Sequence, residues 1–248
     1  MPNQRERAVV CLSGGMDSCV CAALAARDYD AYALHCGYGQ RTEERELRAA
    51  RAVATALGFH DFLPLRLDLF RCIGGSALTD SRIKIPEAPA GDLAPQASAR
   101  TGSDVPVTYV PFRNAHFLSA AVSWAEVLGA KSIFIGAVEQ DSSGYPDCRP
   151  AYYAAFQQLI HTGTRDGDIQ VKTPLIHMHK SEIVALGVEL AAPLELTWSC
   201  YSGSEVACGV CESCALRLRA FELAGVRDPI PYADRRESET KFQEHAGA

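Results

Sequence analysis

Four cysteines near the C-terminal end, Cys200, Cys208, Cys211 and Cys214, follow the spacing C-x7-C-x2-C-x2-C. A Cys-x2-Cys turn brings two sulfurs to one centre, and four thiolates complete a tetrahedron at about 2.3 Å around a zinc ion. Four sulfurs leave no open coordination position, so the expected ion is structural. Free buried thiols are one alternative and a four-cysteine iron–sulfur cluster another. A compact knuckle with a helix starting inside it, bent at Gly203 and Gly209, favours zinc. A second group lies near the beginning, where Val9-Val10-Cys11-Leu12 runs into Ser13-Gly14-Gly15-Met16-Asp17-Ser18. The paired glycines allow positive φ and close backbone approach. Asp17 stands where it could cap the following helix. A strand–loop–helix of this kind aims several amides and a helix dipole at one point, and so expects a phosphate or pyrophosphate.

The elements that must carry these groups alternate. Arg7–Leu12 reads as a strand buried on both faces, 17–27 as an alanine-rich helix, Ala31–Cys36 as a second strand and Thr42–Leu57 as a second helix closed by Gly58. Thr42 is the expected cap of that helix. Phe62–Leu67 makes a third strand, and this alternation predicts a parallel sheet with right-handed crossovers. Ligands of such sheets bind beyond the carboxyl ends of the strands, where both the 13–18 loop and the 35–41 segment fall. From Gly74 to Pro106 the pattern dissolves, as in a lid or a disordered insert. A helix to about Leu128, a strand Ser132–Ala137, a helix 151–161, a short strand Lys172–Ile176 and helices 180–190 and 211–224 follow, before a charged tail.

The chain has 248 residues, 48% of them hydrophobic, enough for one large α/β domain with a small appendage. A formal charge of −6 argues against a general nucleic-acid surface. No run of 18 apolar residues suits a membrane span, and Met1–Arg7 lacks an apolar signal core, so the cytoplasm is the expected compartment. In a reducing compartment, a tight cysteine cluster reads as a metal site before it reads as disulfides.

The 13–18 loop lacks the lysine of a Walker A loop and the spacing of a dinucleotide fingerprint. It resembles instead the pyrophosphate (PP) loop of ATP pyrophosphatases, which cleave ATP between the α and β phosphates to adenylate a substrate oxygen. With YGQR at Tyr38–Arg41, YVPFRN at Tyr109–Asn114, SGYPDCRP at Ser143–Pro150, TWSCYSG at Thr197–Gly203 and CGVCESC at Cys208–Cys214 added in order, the chain resembles the 7-cyano-7-deazaguanine synthases of the queuosine pathway. That resemblance implies an adenine-nucleotide α-hydrolase-like, Rossmann-like domain over 1–195, with 74–106 as insert or lid. It implies a zinc-binding segment and tail over 196–248, a homodimer, one Zn2+ per subunit and Mg2+ with ATP. Its substrates would be 7-carboxy-7-deazaguanine and ammonia. Phe112 stands where a small residue is expected, and the insert around 88–102 is long.

On this resemblance Leu12, Ser13, Gly14, Gly15, Met16, Asp17, Ser18, Tyr38, Gln40 and Arg41 bind the nucleotide. Asp17, Ser18, Arg113 and Lys180 carry the catalysis. Asp17 is either a magnesium-associated carboxylate or a helix cap. Arg113 and Arg149 neutralise phosphate or substrate carboxylate, or serve as structural salt bridges. Lys180 reaches a phosphate or stands solvated at a helix start. Asn114, Asp141, Asp147 and Arg149 face the substrate, with Tyr145 stacked on its ring. His177 and His179 would share one face of a strand, but no third metal ligand lies near them. The alternatives are a relative that adenylates a different carboxylate, a tRNA-modifying ATPase with a reactive cysteine pair, and a zinc-knuckle binding module without catalysis.

Overall fold

The computed structural model describes residues 5–87, 105–139, 145–203 and 205–233. Five parallel strands form one sheet in the order β3-β2-β1-β4-β5, with β1 Arg7–Cys11, β2 Asp30–Gly37, β3 Asp61–Arg66, β4 Ser132–Ile135 and β5 Gln170–Lys172. The helices are α1 Met16–Asp28, α2 Glu43–Ala56, α3 Leu69–Ile73, α4 Arg113–Leu128, α5 Pro150–Gly163, α6 Lys180–Glu189 and α7 Glu212–Leu223. Among the described residues, no helix is long and apolar enough to cross a membrane.

β1 sits at the centre because both of its faces are apolar. Ala8 and Val10, with Leu12 just beyond the strand, pack against α1, α2, α6 and α7, whereas Val9 and Cys11 pack against α4 and α5. Period-two alternation thus fills two cores from one strand. The chain leaves β1 for β2 and β3 on one side and returns to β4 and β5 on the other. The crevice between the ends of β1 and β4 is therefore the point where the winding reverses.

Two helix starts differ from the sequence reading. α1 begins at Met16 on Gly15, so Asp17 is its second residue and not its cap. The turn at Gly14, with φ 91°, already delivers helical backbone one residue earlier. Thr42 does hold the cap position of α2, but its hydroxyl donates to Glu46 Oε1 at 2.6 Å and not to the helix backbone. The last strand is also displaced. β5 occupies Gln170–Lys172 and not 172–176, because Pro174 has no N–H with which to continue the ladder. His177 consequently lies in a turn, and His179, with extended backbone beyond it, caps α6 through a box with Glu182. The short α3 was not foreseen.

Glycines fix the crevice. A Cβ at Gly14 would stand 2.5 Å from the Glu46 carbonyl oxygen and 2.9 Å from the Ala50 nitrogen of α2. A Cβ at Gly136, just past β4, would meet the Asp17 carbonyl oxygen at 2.8 Å and the Ser18 nitrogen at 2.9 Å. Backbone at that range cannot yield as a side-chain tip can. Gly136→Ala is therefore expected to lower stability by about 1–3 kcal/mol through overpacking and to displace the first turn of α1. Urea titration reads the first effect and nucleotide affinity the second; unchanged values in both would contradict the packing.

Candidate active site and metal centre

The carboxyl ends of β1, β2 and β4 open into a cavity of about 290 Å³. One end is the 13–18 loop. Ser13 Oγ donates to Ser18 Oγ at 3.0 Å and accepts from the Gly15 amide at 3.3 Å, while Ser18 Oγ donates to the Gly15 carbonyl at 2.9 Å. These bonds hold the loop around the start of α1, whose amides carry the positive end of the helix dipole. Gly15 offers no capping side chain to those amides. The loop is braced from outside as well, since the Trp198 amide donates to the Gly14 carbonyl at 2.8 Å.

Asp17 and Lys180 meet at this end, with Nζ 2.8 Å from Oδ2 and both side chains largely buried. Asp17 Oδ1 is buried and has no hydrogen-bond partner among the described residues. A buried carboxylate oxygen left in that state is costly unless a ligand or ion satisfies it. The opposite wall carries Arg113, whose Nη1 donates to the Tyr38 hydroxyl at 2.9 Å, with Tyr145 and Asn114 beside it. Burial works against the Arg113 charge, but Tyr38, Tyr145 and Asp147 together hold its pKa above the ordinary arginine value.

Several expected site residues have other positions. Leu12, Ser13, Gly15, Met16, Asp17, Ser18, Tyr38, Arg113, Asn114, Tyr145 and Lys180 line the cavity. Gln40 instead lies beneath the wall, accepting from the Tyr38 amide at 2.8 Å and donating to Glu46 Oε2 at 2.9 Å. Arg41 donates to the carbonyls of Asp80 and Ile83 and pins the start of the insert. Asp147 is buried and caps α4 from a distance, accepting from the Asn114 amide at 3.1 Å, and the Asn114 side-chain amide donates back to the Asp147 carbonyl at 3.0 Å. Arg149 is exposed at the start of α5. Asp141 lies outside the described residues. Phe112 has φ 59° and is 59% exposed, which explains the expectation of a small residue there: the left-handed turn before α4 suits a glycine.

The sequence reading missed several contributors. Glu46 lines the cavity, and it falls on the same α2 stripe as buried Ala49, Ala50 and Val53. An acid on an apolar helix face was the available signal. Trp198, Ser199 and Tyr201 form another wall, and Ser213 and Leu216 of α7 close it. These residues flank or interleave with the cysteines, so the knuckle is part of the cavity.

The sulfurs of Cys200, Cys208, Cys211 and Cys214 all lie within 4.8 Å of one another, with Cys208 and Cys214 3.9 Å apart. A tetrahedral ion with bonds of about 2.3 Å needs sulfurs separated by roughly 3.8 Å, so the four fit one ion. Backbone amides of Gly203, Cys208 and Ser202 point at Cys200 Sγ from 3.1 to 3.4 Å, and the Cys211 amide at Cys208 Sγ from 3.3 Å. Such donors favour thiolates. The cluster is tied into the fold by Arg217 of α7, which is buried and paired with Asp228 at 2.8 Å while also donating to Thr197 at 2.6 Å. Residue Glu87 of the insert forms a bridge with Cys211.

The family model described as "Queuosine biosynthesis protein QueC" matches residues 7–225. A 7-cyano-7-deazaguanine synthase of Acidobacterium capsulatum is 71% identical over 235 residues, covering 95% of this chain and all of the relative. One from Koribacter versatilis is 60% identical over 232 residues, covering 92% and 94%. Among solved structures, an NH3-dependent NAD synthetase from Campylobacter jejuni overlaps 79% of this chain and 68% of its own at 16% identity and a TM-score of 0.44, a likeness too slight to bear on function. With the family model running from the first strand to the end of the last helix, and relatives of one description matched over nearly their whole length, the chain belongs to the QueC family of 7-cyano-7-deazaguanine synthases.

Proposed function

We propose that the chain converts 7-carboxy-7-deazaguanine and ammonia to 7-cyano-7-deazaguanine with ATP, forming C–N bonds as a ligase. The observation that carries this reading is the cavity at the winding reversal. A loop of amides and hydroxyls faces Arg113 across it, and the Asp17–Lys180 pair stands beside the loop. A carboxylate at neutral pH resists amination because its oxygen leaves poorly. Adenylation makes AMP the leaving group, ammonia then gives the amide, and a second adenylation on the amide oxygen allows loss to the nitrile. Two ATP are consumed in one site.

The protein's share is positioning and charge stabilisation. The amides at the start of α1, with Ser13 and Ser18, hold the departing pyrophosphate. Lys180 would reach a phosphate oxygen, and Asp17 would hold the Mg2+ that accompanies ATP, directly or through water, where the ion would supply charge neutralisation. Arg113 neutralises the acyl phosphate. Asn114 and Tyr145 sit on the substrate side, whereas Asp147 acts by holding Asn114 and Gln40 by holding Glu46. Cys200, Cys208, Cys211 and Cys214 hold a structural Zn2+, whose role is to fix the wall formed by Trp198, Tyr201 and Ser213. The four-thiol donor set supports zinc. We read residues 1–195 as the nucleotide domain and 196–248 as the metal-binding segment. We take the enzyme to be cytoplasmic and a homodimer, as the family resemblance implies.

The tRNA-modifying alternative needs a reactive thiolate at the site. Burial raises the Cys36 thiol to about 12 and the Cys148 thiol to about 11, so both stay protonated at neutral pH.

Incubation with ATP, Mg2+, ammonium and 7-carboxy-7-deazaguanine is expected to yield AMP and the nitrile, read by mass spectrometry. ADP as the sole nucleotide product, or dependence on tRNA, would sink the reading. Asp17→Ala is expected to cut turnover by about 100-fold or more, on the scale of a lost electrostatic contact in a catalytic site, with metal content unchanged. Cys211→Ser should bind less than one metal ion per chain and melt earlier, since a structural zinc supplies on the order of 10 kcal/mol of folding free energy. Full occupancy by elemental analysis would remove the cluster's assigned role.

A further inference from the structure

Two acidic side chains line the cavity among the described residues, Asp17 and Glu46. Asp17 is paired with Lys180, and no cation lies within ion-pairing distance of Glu46 among those residues. Its partners are neutral: Thr42 Oγ1 donates to Oε1 at 2.6 Å and Gln40 Nε2 to Oε2 at 2.9 Å. A carboxylate has about four acceptor positions, so each oxygen keeps one for a ligand. The Glu46 backbone is wedged beneath Gly14 of the 13–18 loop, and the Thr42 and Gln40 bonds hold the carboxyl at the cavity wall.

The charge of this wall selects among the reactants. ATP and a carboxylated deazaguanine are both anions at neutral pH, and Glu46 repels them. The remaining reactant is present almost wholly as a cation. We propose that Glu46 binds the ammonium ion and removes the proton that makes it a nucleophile, an inference that rests on the amide- and nitrile-forming reading above. Burial raises the carboxyl's pKa, which moves it toward that of a working base. The Thr42 and Gln40 bonds and the Arg113 charge oppose that rise, and Glu43 on the same helix supports it.

The step balances. Ammonium gives one proton to the Glu46 carboxylate. The freed electron pair forms a C–N bond to the acyl carbon, and the C–O bond to the phosphate breaks with its pair going to AMP. The second proton lost from nitrogen goes to the departing phosphate oxygen. Glu46 then returns its proton to water before the next ammonium arrives.

Glu46→Gln keeps the shape of the side chain and the Thr42 contact while removing the charge. Its KM for ammonium is expected to rise about 10- to 100-fold, the range for a lost charge-assisted hydrogen bond. In the wild-type enzyme, kcat/KM for total ammonium should level off once Glu46 is ionised. In the variant it should climb by about tenfold per pH unit, following the free ammonia fraction. Hydroxylamine, already uncharged at neutral pH, should restore turnover. Substrate-dependent exchange of labelled pyrophosphate into ATP, which needs no nitrogen source, should persist. Glu46→Asp, which withdraws the carboxylate by one methylene, should show the same ammonium defect in milder form. It also serves if the glutamine variant does not fold. An unchanged ammonium KM and pH profile, or a raised KM for the deazaguanine alone, would overturn the ammonium site. Absence of pyrophosphate exchange in the wild-type enzyme would overturn the underlying reading and the site with it.

Discussion

The missing side chain at Gly14 is the constraint on which the site depends. It lets the β1 turn descend onto α2 until backbone meets backbone, with the Glu46 carbonyl where a Cβ would be. That contact sets the height of the phosphate loop above the sheet, the start of α1 at Met16, and the reach of Glu46 into the cavity. Gly136 repeats the device from the other side, where β4 passes the first turn of α1. The loop is thus gripped between two close approaches, and a rigid cradle of amides costs little to reorganise when charge arrives.

Much of the architecture could be read from the chain because local pattern and global fold agree there. β1 is apolar on both faces and sits mid-sheet; Gly58 and Gly129 close their helices with positive φ, as their placement predicts. The parallel sheet follows from the alternation of strands and helices, whereas the reversal of strand order at β1 is seen only in the fold. The loop at 13–18 and the cysteine cluster were legible because each is contiguous, its chemistry written in adjacent residues.

What escaped was set by tertiary contact. Gln40 and Arg41 stand in the same short motif as Tyr38, yet only Tyr38 faces the cavity, since β2 ends there and the chain turns away. Asp147 and Arg149 are two residues apart but divide between a buried cap for α4 and an exposed helix start. Sequence spacing says nothing of which way a turn points. Lys180 meets Asp17 across 163 positions, a pairing that only the folded crevice creates. That the cysteine segment also walls the cavity was likewise hidden, because the motifs that hold Ser199, Tyr201 and Ser213 do not say which way those side chains face.

The bond from the Trp198 amide to the Gly14 carbonyl ties the 13–18 loop to the segment that carries the cysteines. During synthesis the N-terminal half emerges first, and domains begin to organise as they leave the ribosome. β1 to β3 lie in that half, but the brace on the 13–18 loop, the Lys180 partner of Asp17 and the cysteine wall all reside downstream of residue 179. The 13–18 loop therefore takes its braced shape only once the segment that carries Lys180 and Trp198 has been made and folded back onto it.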